Sequence, residues 1–329
     1  MPTCRRSAIV LALNFVIGGL GIGAPAQAQT APGVERIIAH GIEITRAQVG
    51  PAGLGPRARP EHPGGEIRDN RATAFVREIA AGATYDGHRI EGPHRLIENV
   101  VLTSPVDVYA TLPVVFRGVS IWTRAAAPWA LHTRPGAGAV HFHWSEAGAA
   151  DTAGLVLDAS RALDRALYLR SDNVTVHRSH LTRTADGIQI HAVGARIIET
   201  LIDDLLTWSG QHNDGIQILG QGRDAIILRN RIVNQNPQTS CLNISGRNIR
   251  ILDNFLSGGG WTIYGGAQTK GYIAGSEQNI VVRGNLFGRD FFAKGGHFGA
   301  VAYWDGRARG NVWRDNQFTN GDTIIVADR

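Results

Sequence analysis

The sequence predicts an all-β protein, a single right-handed parallel β-helix (a β-solenoid) in which the chain winds through coils of short strands. The first observation is a phrase that returns along the second half of the chain, with alternating apolar residues, then Asn, then another apolar residue. It reads IILRNRI (226–232), IRILDNFL (249–256), VVRGNLF (281–287) and VWRDNQF (312–318). Its Asn residues are 24, 31 and 31 positions apart. A period of this length, built from period-2 strands, is typical of a solenoid.

A second strand recurs between these phrases and completes each coil. DGIQI occurs at 186–190 and again at 214–218, and the same slot in later coils holds CLNIS (241–245), TIYGG (262–266) and AVAYW (300–304). Parallel strands need long connections, which such coils supply without helices, while each coil covers the open edge of its neighbour. The order of strands within a coil is therefore that of a parallel β-helix.

The repeated Asn residues are expected to be structural. Asn tolerates a left-handed turn, and its amide can hydrogen-bond to the Asn of the next coil. Alternation along the DGIQI-type strands places one set of apolar side chains inside the solenoid. We expect the Asn side chains to align at one turn, and these apolar side chains to stack in the core: Asn230, Asn254, Asn285 and Asn316 in the first set, and Ile188, Ile216, Leu242 and Ile263 in the second.

The N-terminal residues 1–28 have the features of a signal peptide. Arg5 and Arg6 precede an apolar run, and Ala26-Gln27-Ala28 provides a small-residue cleavage site. The sequence therefore predicts a secreted or periplasmic protein.

The mature chain divides into two parts. Residues 29–83 form an N-terminal extension and a cap, in which residues 71–81 are predicted to form a small helix over the first coil, because a solenoid needs its end covered. Residues 84–329 form the β-helix domain, and nothing between them resembles a linker to a further domain.

Composition agrees with a single exported domain. Without residues 1–28 the chain has 31 basic and 28 acidic residues, a net charge near +3, and one cysteine, Cys241, so no internal disulfide can form. Almost all of the positive charge is Arg, which suits bidentate contacts to carboxylates. No later apolar stretch is long enough to span a bilayer. We expect a monomer without a nucleic-acid partner.

The coil pattern, the Asn-bearing turns and the DGI strand starts resemble the pectate-lyase-like superfamily of right-handed parallel β-helix proteins. In that superfamily, polysaccharide lyases, hydrolases and epimerases use an exposed groove along one strand stack, to which the DGIQI stack would correspond. The segment His212-Asn213-Asp214-Gly215-Ile216 is similar to the Asn-Thr-Asp-Gly-Ile stretch that carries a catalytic Asp in polygalacturonase-type hydrolases. Those hydrolases place two further Asp residues in the next coil, where this chain has Thr239-Ser240-Cys241-Leu242.

Alternation also gives the outward side chains of the DGIQI stack, with ALYLR (166–170) as the preceding coil. One outward column is polar or aromatic, the next one, towards the strand start, contains two carboxylates, and the far edge carries two basic groups. The polar and aromatic column contains Tyr168, Gln189, Gln217, Asn243 and Tyr264. The column with the two carboxylates contains Arg165, Asp186, Asp214, Ser240 and Trp261. The far edge carries Arg170 and His191. Amides and a phenol for hydroxyl groups, and rings for stacking, are what a sugar-binding site needs.

These columns predict a carbohydrate-active enzyme, in the first place a lyase that cleaves an acidic, uronate-containing polysaccharide by β-elimination. Asp186 and Asp214 are the predicted charged centre, in which a divalent cation such as Ca²⁺ could pair with the uronate carboxylate. His212 or Lys270 is the predicted proton acceptor, and Tyr264 the proton donor. Eight further outward residues are expected to bind substrate: Arg165, Tyr168, Arg170, Gln189, His191, Gln217, Asn243 and Trp261. Two alternatives remain: a glycoside hydrolase that uses Asp186 and Asp214 as its carboxylate pair, and a polysaccharide-binding envelope protein without catalysis.

Overall fold

The structure is a computed structural model that describes residues 36–39, 42–45, 66–67, 84–86, 89–91, 95–98, 101–102, 104–123, 127–150, 162–208, 210–265 and 278–326. These residues form strands β1 to β31 and contain no helix. It follows that none of them belongs to a helix that could cross a membrane. The predicted signal peptide, the predicted cap helix over residues 71–81 and Lys270 lie outside the described residues.

Three long sheets run side by side along the solenoid, and a typical coil contributes one strand to each. Sheet A consists of β3 (Glu66–Ile67), β7 (Val101–Leu102), β10 (Ser120–Thr123), β13 (Glu146–Ala149), β16 (His180–Thr182), β19 (Leu201–Asp203), β22 (Arg231–Asn234), β25 (Phe255–Gly258), β28 (Leu286–Gly288) and β31 (Gln317–Phe318). Sheet B consists of β4 (Thr84–Asp86), β5 (Arg89–Glu91), β8 (Val106–Val108), β11 (Leu131–Thr133), β14 (Arg165–Leu169), β17 (Asp186–Ile190), β20 (Asp214–Ile218), β23 (Ser240–Ile244), β26 (Trp261–Tyr264) and β29 (Gly299–Ala302). Sheet C consists of β6 (Arg95–Glu98), β9 (Val114–Arg117), β12 (Val140–His143), β15 (Thr175–His177), β18 (Arg196–Ile198), β21 (Ile226–Leu228), β24 (Arg250–Leu252), β27 (Val281–Arg283) and β30 (Val312–Arg314).

Strands within the three sheets pair in parallel, except that β4 pairs with β5 in the antiparallel sense. The remaining strands, β1 (Arg36–Ala39) and β2 (Ile42–Thr45), form a separate antiparallel pair. Along the chain, the strands follow the order sheet A, sheet B, sheet C. The predicted right-handed parallel β-helix is confirmed.

The core is a stack of apolar side chains contributed by all three sheets. In sheet B, Ile188 is in register with Ile216, Ile216 with Leu242, and Leu242 with Ile263. All four side chains are completely buried, as the alternation predicted. A slip of one residue would turn each of these side chains outward, so burial of the stack fixes the register of sheet B.

The predicted Asn ladder is present at the turn between sheet C and sheet A. The Asn254 side-chain oxygen accepts hydrogen bonds from the Asn230 backbone N–H at 2.8 Å and from the Asn230 amide at 2.9 Å. Asn285 does the same for Asn254, and Asn316 for Asn285. The four side chains are buried. The ladder stabilises the fold, because each buried Asn side chain forms hydrogen bonds with backbone groups at the turn that have no partner in a neighbouring strand.

One reason given for Asn at this turn is wrong. The residue with the left-handed backbone is the one that precedes each ladder Asn, namely Arg229, Asp253, Gly284 and Asp315, with φ of 52°, 54°, 70° and 55°. The Asn is selected by its side-chain hydrogen bonds instead. In earlier coils a hydroxyl takes this place, because the Ser179 and Thr200 side chains accept the backbone N–H groups of Ser145 and Ser179.

Candidate functional site

The outward face of sheet B carries most of the residues predicted to form a site. The register pairs Tyr168 with Gln189, Gln189 with Gln217, Gln217 with Asn243, and Asn243 with Tyr264. The Gln189 amide donates to the Gln217 side-chain oxygen at 2.5 Å. Five successive strands therefore present one polar and aromatic column, here called the sheet B column.

The N-terminal end of the sheet B column is a cluster of rings and cations around Tyr168. The guanidinium carbons of Arg165 and Arg170 lie 5.4 and 5.7 Å from the centre of the Tyr168 ring. The His191 ring meets the Tyr168 ring edge-on, with centroids 5.4 Å apart. Among the described residues, Arg170 has no acidic partner and its side chain is exposed. Both predicted substrate-binding arginines and His191 are thus brought together on one tyrosine.

Burial lowers the pKa of His191, and the positive charges of Arg170 and Arg165 lower it further. The imidazole is consequently neutral at pH 7, with a lone pair available to accept a proton. His191 is half-buried, so part of the residue remains accessible to a ligand.

The cluster continues into the preceding coil through residues that were not predicted. His132 is in register with Tyr168 and its ring stacks on the Tyr168 ring at 4.7 Å. The Trp129 ring packs against both, with its centroid 4.4 Å from that of His132 and 5.7 Å from that of Tyr168. His132 Nδ1 lies 3.1 Å from Asp107 Oδ1, and Arg134 Nε donates to the same oxygen at 3.0 Å. His132 is 1% exposed, so it supports the Tyr168 ring from beneath.

The sequence does contain a signal for this coil. ALHTR at 130–134 matches ALYLR at 166–170 in its first two residues, Ala and Leu, and in its final Arg. Aligning the two segments would have added His132 and Arg134 to the sheet B column and its edge.

The predicted charged centre, Asp186 and Asp214, lies in the next column. Asp186 Oδ1 accepts the backbone N–H of Asp214 at 2.9 Å. The Asp214 carboxylate accepts the Ser240 hydroxyl on one oxygen and, more weakly, the Asn243 amide at 3.5 Å on the other. Asp214 is fully buried and Asp186 is 6% exposed. Both carboxylates are engaged with neighbouring strands rather than open to a ligand.

Burial also governs the protonation of this pair. It raises the pKa of Asp186 well above the ordinary value, and the negative charge of Asp214 raises it further. Burial raises the pKa of Asp214 to about 6, against the hydrogen bonds from Ser240 and Asn243, which favour the charged form. The pair therefore retains protons at pH values at which isolated aspartates have lost them.

These residues do not fit a calcium site. Ca²⁺ takes six to eight oxygen ligands, preferably from ionised carboxylates. Here Asp186 Oδ1 is occupied by a backbone N–H, and the Asp214 carboxylate faces two hydrogen-bond donors. Moreover, the described part of the chain contains no group of three His, Cys, Asp or Glu residues that could hold a metal ion.

The raised pKa of Asp214 gives a test of its role. Because the folded-state pKa of about 6 exceeds the ordinary 3.8, Asp214 favours the folded state below pH 4, and this contribution is lost as the pH rises through 6. The difference corresponds to roughly 3 kcal/mol. We expect urea unfolding to show that Asp214→Asn gains roughly 2 to 3 kcal/mol relative to wild type between pH 4 and pH 8.

The matched control is Asp224→Asn, at an exposed turn position where Asn tolerates the left-handed backbone. Its stability relative to wild type should stay nearly constant over the same range. The same variants separate structure from chemistry. A folded Asp214→Asn protein that loses activity about a hundredfold would return the catalytic centre to Asp214, whereas near-normal activity supports a structural pair.

Of the other predicted catalytic residues, His212 and Tyr264 are described, and neither forms a hydrogen bond or an ion pair with Asp186 or Asp214. The His212 side chain is exposed, and no hydrogen bond or ion pair joins it to Asp214. Tyr264 stacks on Tyr303 with centroids 5.6 Å apart. Burial raises the pKa of Tyr264, and the charges of Tyr303 and Asp214 add to this effect. Trp261, predicted to bind substrate, packs against Phe298 at 6.2 Å.

These features define a parallel β-helix protein with one sheet face rich in amides, aromatic rings and arginine. No model of a protein family and no curated protein matches the chain significantly. Among solved structures, the chain is similar to an alginate lyase from Paenibacillus sp. str. FPU-7, with 13% identity, a TM-score of 0.44, and coverage of 72% of this chain and 89% of that one. It is also similar to the Dettilon tailspike protein gp208, with 13% identity, a TM-score of 0.39, and coverage of 71% of this chain and 53% of that one.

Proposed function

We propose that the protein is a secreted or periplasmic polysaccharide lyase that cleaves a uronate-containing polymer by β-elimination on the sheet B face. The observation that carries this proposal is the cluster at Tyr168, where two arginines and a neutral imidazole surround one tyrosine. In this cluster, a single site supplies the cationic groups, the proton acceptor and the proton donor of an elimination.

Substrate binding follows from the chemistry of the cluster. A guanidinium group binds a carboxylate through paired hydrogen bonds, and Arg170 is exposed and without an acidic partner in the described chain. Tyr168 and Trp129 stack with centroids 5.7 Å apart and are both half-buried, so their accessible parts offer apolar surface on which a sugar can pack. The amides of Gln189 and Gln217 continue the sheet B column and can bind hydroxyl groups of the next sugar.

The elimination has two proton transfers. His191 accepts the proton from C5, next to the uronate carboxylate, and the electron pair of the C–H bond becomes the double bond between C4 and C5 as the C4–O bond breaks. Arg165 and Arg170 stabilise the negative charge that develops on the carboxylate. The leaving oxygen takes a proton from the Tyr168 hydroxyl and becomes the anomeric hydroxyl of a new reducing end.

The proposed centre is thus Tyr168 with its neighbours, and not the Asp186–Asp214 pair that the sequence predicted. A hydrolase would need both carboxylates at the scissile bond. Here Asp214 is fully buried, and its carboxylate is held by Ser240 and Asn243. For this reason elimination at Tyr168 is the function that the geometry supports best.

Ultraviolet absorbance decides between the alternatives. Elimination creates a double bond conjugated with the carboxylate, which absorbs near 235 nm, a region in which hydrolysis products are silent. Purified protein should therefore give rising absorbance with at least one polymer from a panel of pectate, alginate, glucuronan and acidic bacterial exopolysaccharides. New reducing ends with flat absorbance would establish a hydrolase instead. Binding without either signal would establish a polysaccharide-binding protein.

A further inference from the structure

The outward face of sheet C carries arginines without acidic partners. Arg196, Arg250 and Arg283 lie on β18, β24 and β27, and their side chains are exposed. Within the part of the chain that the structure describes, none of the three forms an ion pair. In register, Ile226 lies between Arg196 and Arg250, and Leu252 pairs with Arg283. The three arginines are here called the sheet C array.

The sheet C array extends along the solenoid axis. Three strand spacings separate β18 from β27, which amounts to roughly 14 Å at about 4.8 Å each. A small anion can pair with one guanidinium group at a time. A linear polyanion that lies along the axis can pair with several, because Arg binds carboxylates and other oxyanions through paired hydrogen bonds. The array is therefore suited to an extended, negatively charged chain.

The nearest acidic groups of this face have other contacts. Glu199 is held between Arg178 and Arg229, whose guanidinium nitrogens lie 2.7 Å from its two oxygens. Asp253 lies at the turn beside Arg283, but the two described residues pair through the backbone, since the Asp253 N–H donates to the Arg283 carbonyl at 3.1 Å. The carboxylates that adjoin the array thus leave its guanidinium groups unpaired.

The charge of the whole face is also positive. At the turn before β21, Asp224 lies 3.9 Å from Arg223, the one arginine there. Seven arginines and four acidic residues occupy the strands of sheet C and their adjoining turns in these coils, namely residues 172–178, 193–199, 223–229, 247–253 and 278–283. An excess of arginine attracts polyanions to this side of the solenoid.

The apolar residues of this face favour a polymer over a lipid bilayer. Ile226, Leu228 and Leu252 point outward between the arginines, and all three are half-buried. They present little apolar surface that could insert into a membrane, which interfacial binding needs. Their accessible atoms can nevertheless make van der Waals contacts with a chain that lies across them.

Resting on the proposed function for the class of polymer, we infer that the outward face of sheet C is a second, non-catalytic binding surface for acidic polysaccharide. The sheet C array pairs with carboxylates along one stretch of polymer, while the cluster at Tyr168 on sheet B binds another. Two binding surfaces on one protein raise the effective concentration of polymer at each of them. The sheet C array should therefore lower KM for long polymers, and leave unaffected short oligosaccharides that sheet B binds alone.

Affinity electrophoresis tests the binding. The gels contain polygalacturonate, alginate or glucuronan, with neutral dextran as the reference, and all variants are made in the His191→Gln protein so that the polymer stays intact. We expect Arg250→Gln to weaken binding to at least one acidic polymer about two- to threefold, and Arg196→Gln/Arg250→Gln about five- to tenfold. Arg289→Gln is the matched control, because it also removes one arginine charge, after β28 of sheet A, and should leave binding unchanged.

Kinetics with His191 intact separate this surface from the catalytic site. For Arg196→Gln/Arg250→Gln, KM for the long polymer should rise about five- to tenfold at unchanged kcat. For tetrasaccharides of the same polymer, kcat/KM should equal that of wild type. A loss of folding would lower activity on both substrates, so the contrast between them excludes a merely structural effect.

Each remaining result counts against one claim or the other. The second surface is ruled out, and the lyase proposal stands, if the double variant binds acidic gels as tightly as Arg289→Gln does, or if it loses activity on tetrasaccharides as well. It is also ruled out if acidic gels retard the wild-type protein no more than dextran, or if phosphatidylglycerol vesicles or duplex DNA bind the two arginines more tightly than any acidic polysaccharide. If binding depends on the two arginines but no polymer gives absorbance near 235 nm, the lyase proposal fails and the second surface stands.

Discussion

Replacing His191 with glutamine is expected to lower the kcat of elimination by a factor of about 100 to 10,000, the range for removal of a positioned acid or base. Glutamine keeps a hydrogen-bonding amide of similar size but cannot accept the C5 proton. KM should change little, because Arg165 and Arg170 still bind the carboxylate. Absorbance near 235 nm, measured across substrate concentration and pH, gives both constants.

His141→Gln is the matched control. His141 lies on β12 of sheet C, away from the sheet B face, and it is also half-buried with a pKa lowered by burial. Its replacement should leave kcat and KM unchanged. Since the pKa of His191 lies below the ordinary 6.5, wild-type activity should persist to a pH below that value before His191 becomes protonated. A His191→Gln enzyme with kcat within threefold of wild type would contradict the assignment.

The fold could be predicted because its determinants are repeated and local. Apolar residues alternate with a period of two, and Asn recurs at a fixed place in each coil. Only one register of the strands buries these apolar residues, the one in which Ile188, Ile216 and Leu242 stack inside. The sequence could not tell that the left-handed residue precedes the Asn, because Asp253 and Asn254 both tolerate that conformation.

The site was predictable in its columns but not in its electrostatics. The register of sheet B follows from alternation, so the alignment of Tyr168, Gln189 and Gln217 in one column was predicted correctly. Burial does not follow from alternation. Alternation predicted that the Asp214 carboxylate points outward. In the structure, Ser240 and Asn243 of the next coil hydrogen-bond to this carboxylate, and it is buried. The pKa of Asp214 depends on contacts between neighbouring coils, and the sequence of one coil does not reveal these contacts.

Replacing Asn254 with alanine is expected to reduce the free energy of unfolding by roughly 4 kcal/mol. Asn254 is completely buried. Its side-chain oxygen accepts the Asn230 N–H at 2.8 Å, and its amide donates to the Ile227 carbonyl at 3.0 Å. Alanine would leave both backbone groups without a partner in the core, and each such group costs about 1 to 3 kcal/mol. Urea unfolding followed by circular dichroism measures the loss.

Asn248→Gly is the control for this variant. Asn248 also joins Asn279 through its side chain, at 3.0 Å, but it is exposed and has a left-handed backbone that glycine adopts freely. Water can replace its hydrogen bonds, so its loss should be less than about 1 kcal/mol. Equal losses for the two variants would mean that burial does not strengthen the ladder. A larger loss at Asn254 would show that the buried ladder holds neighbouring coils together. The ladder would then also maintain the spacing of the sheet B strands that carry Tyr168 and His191.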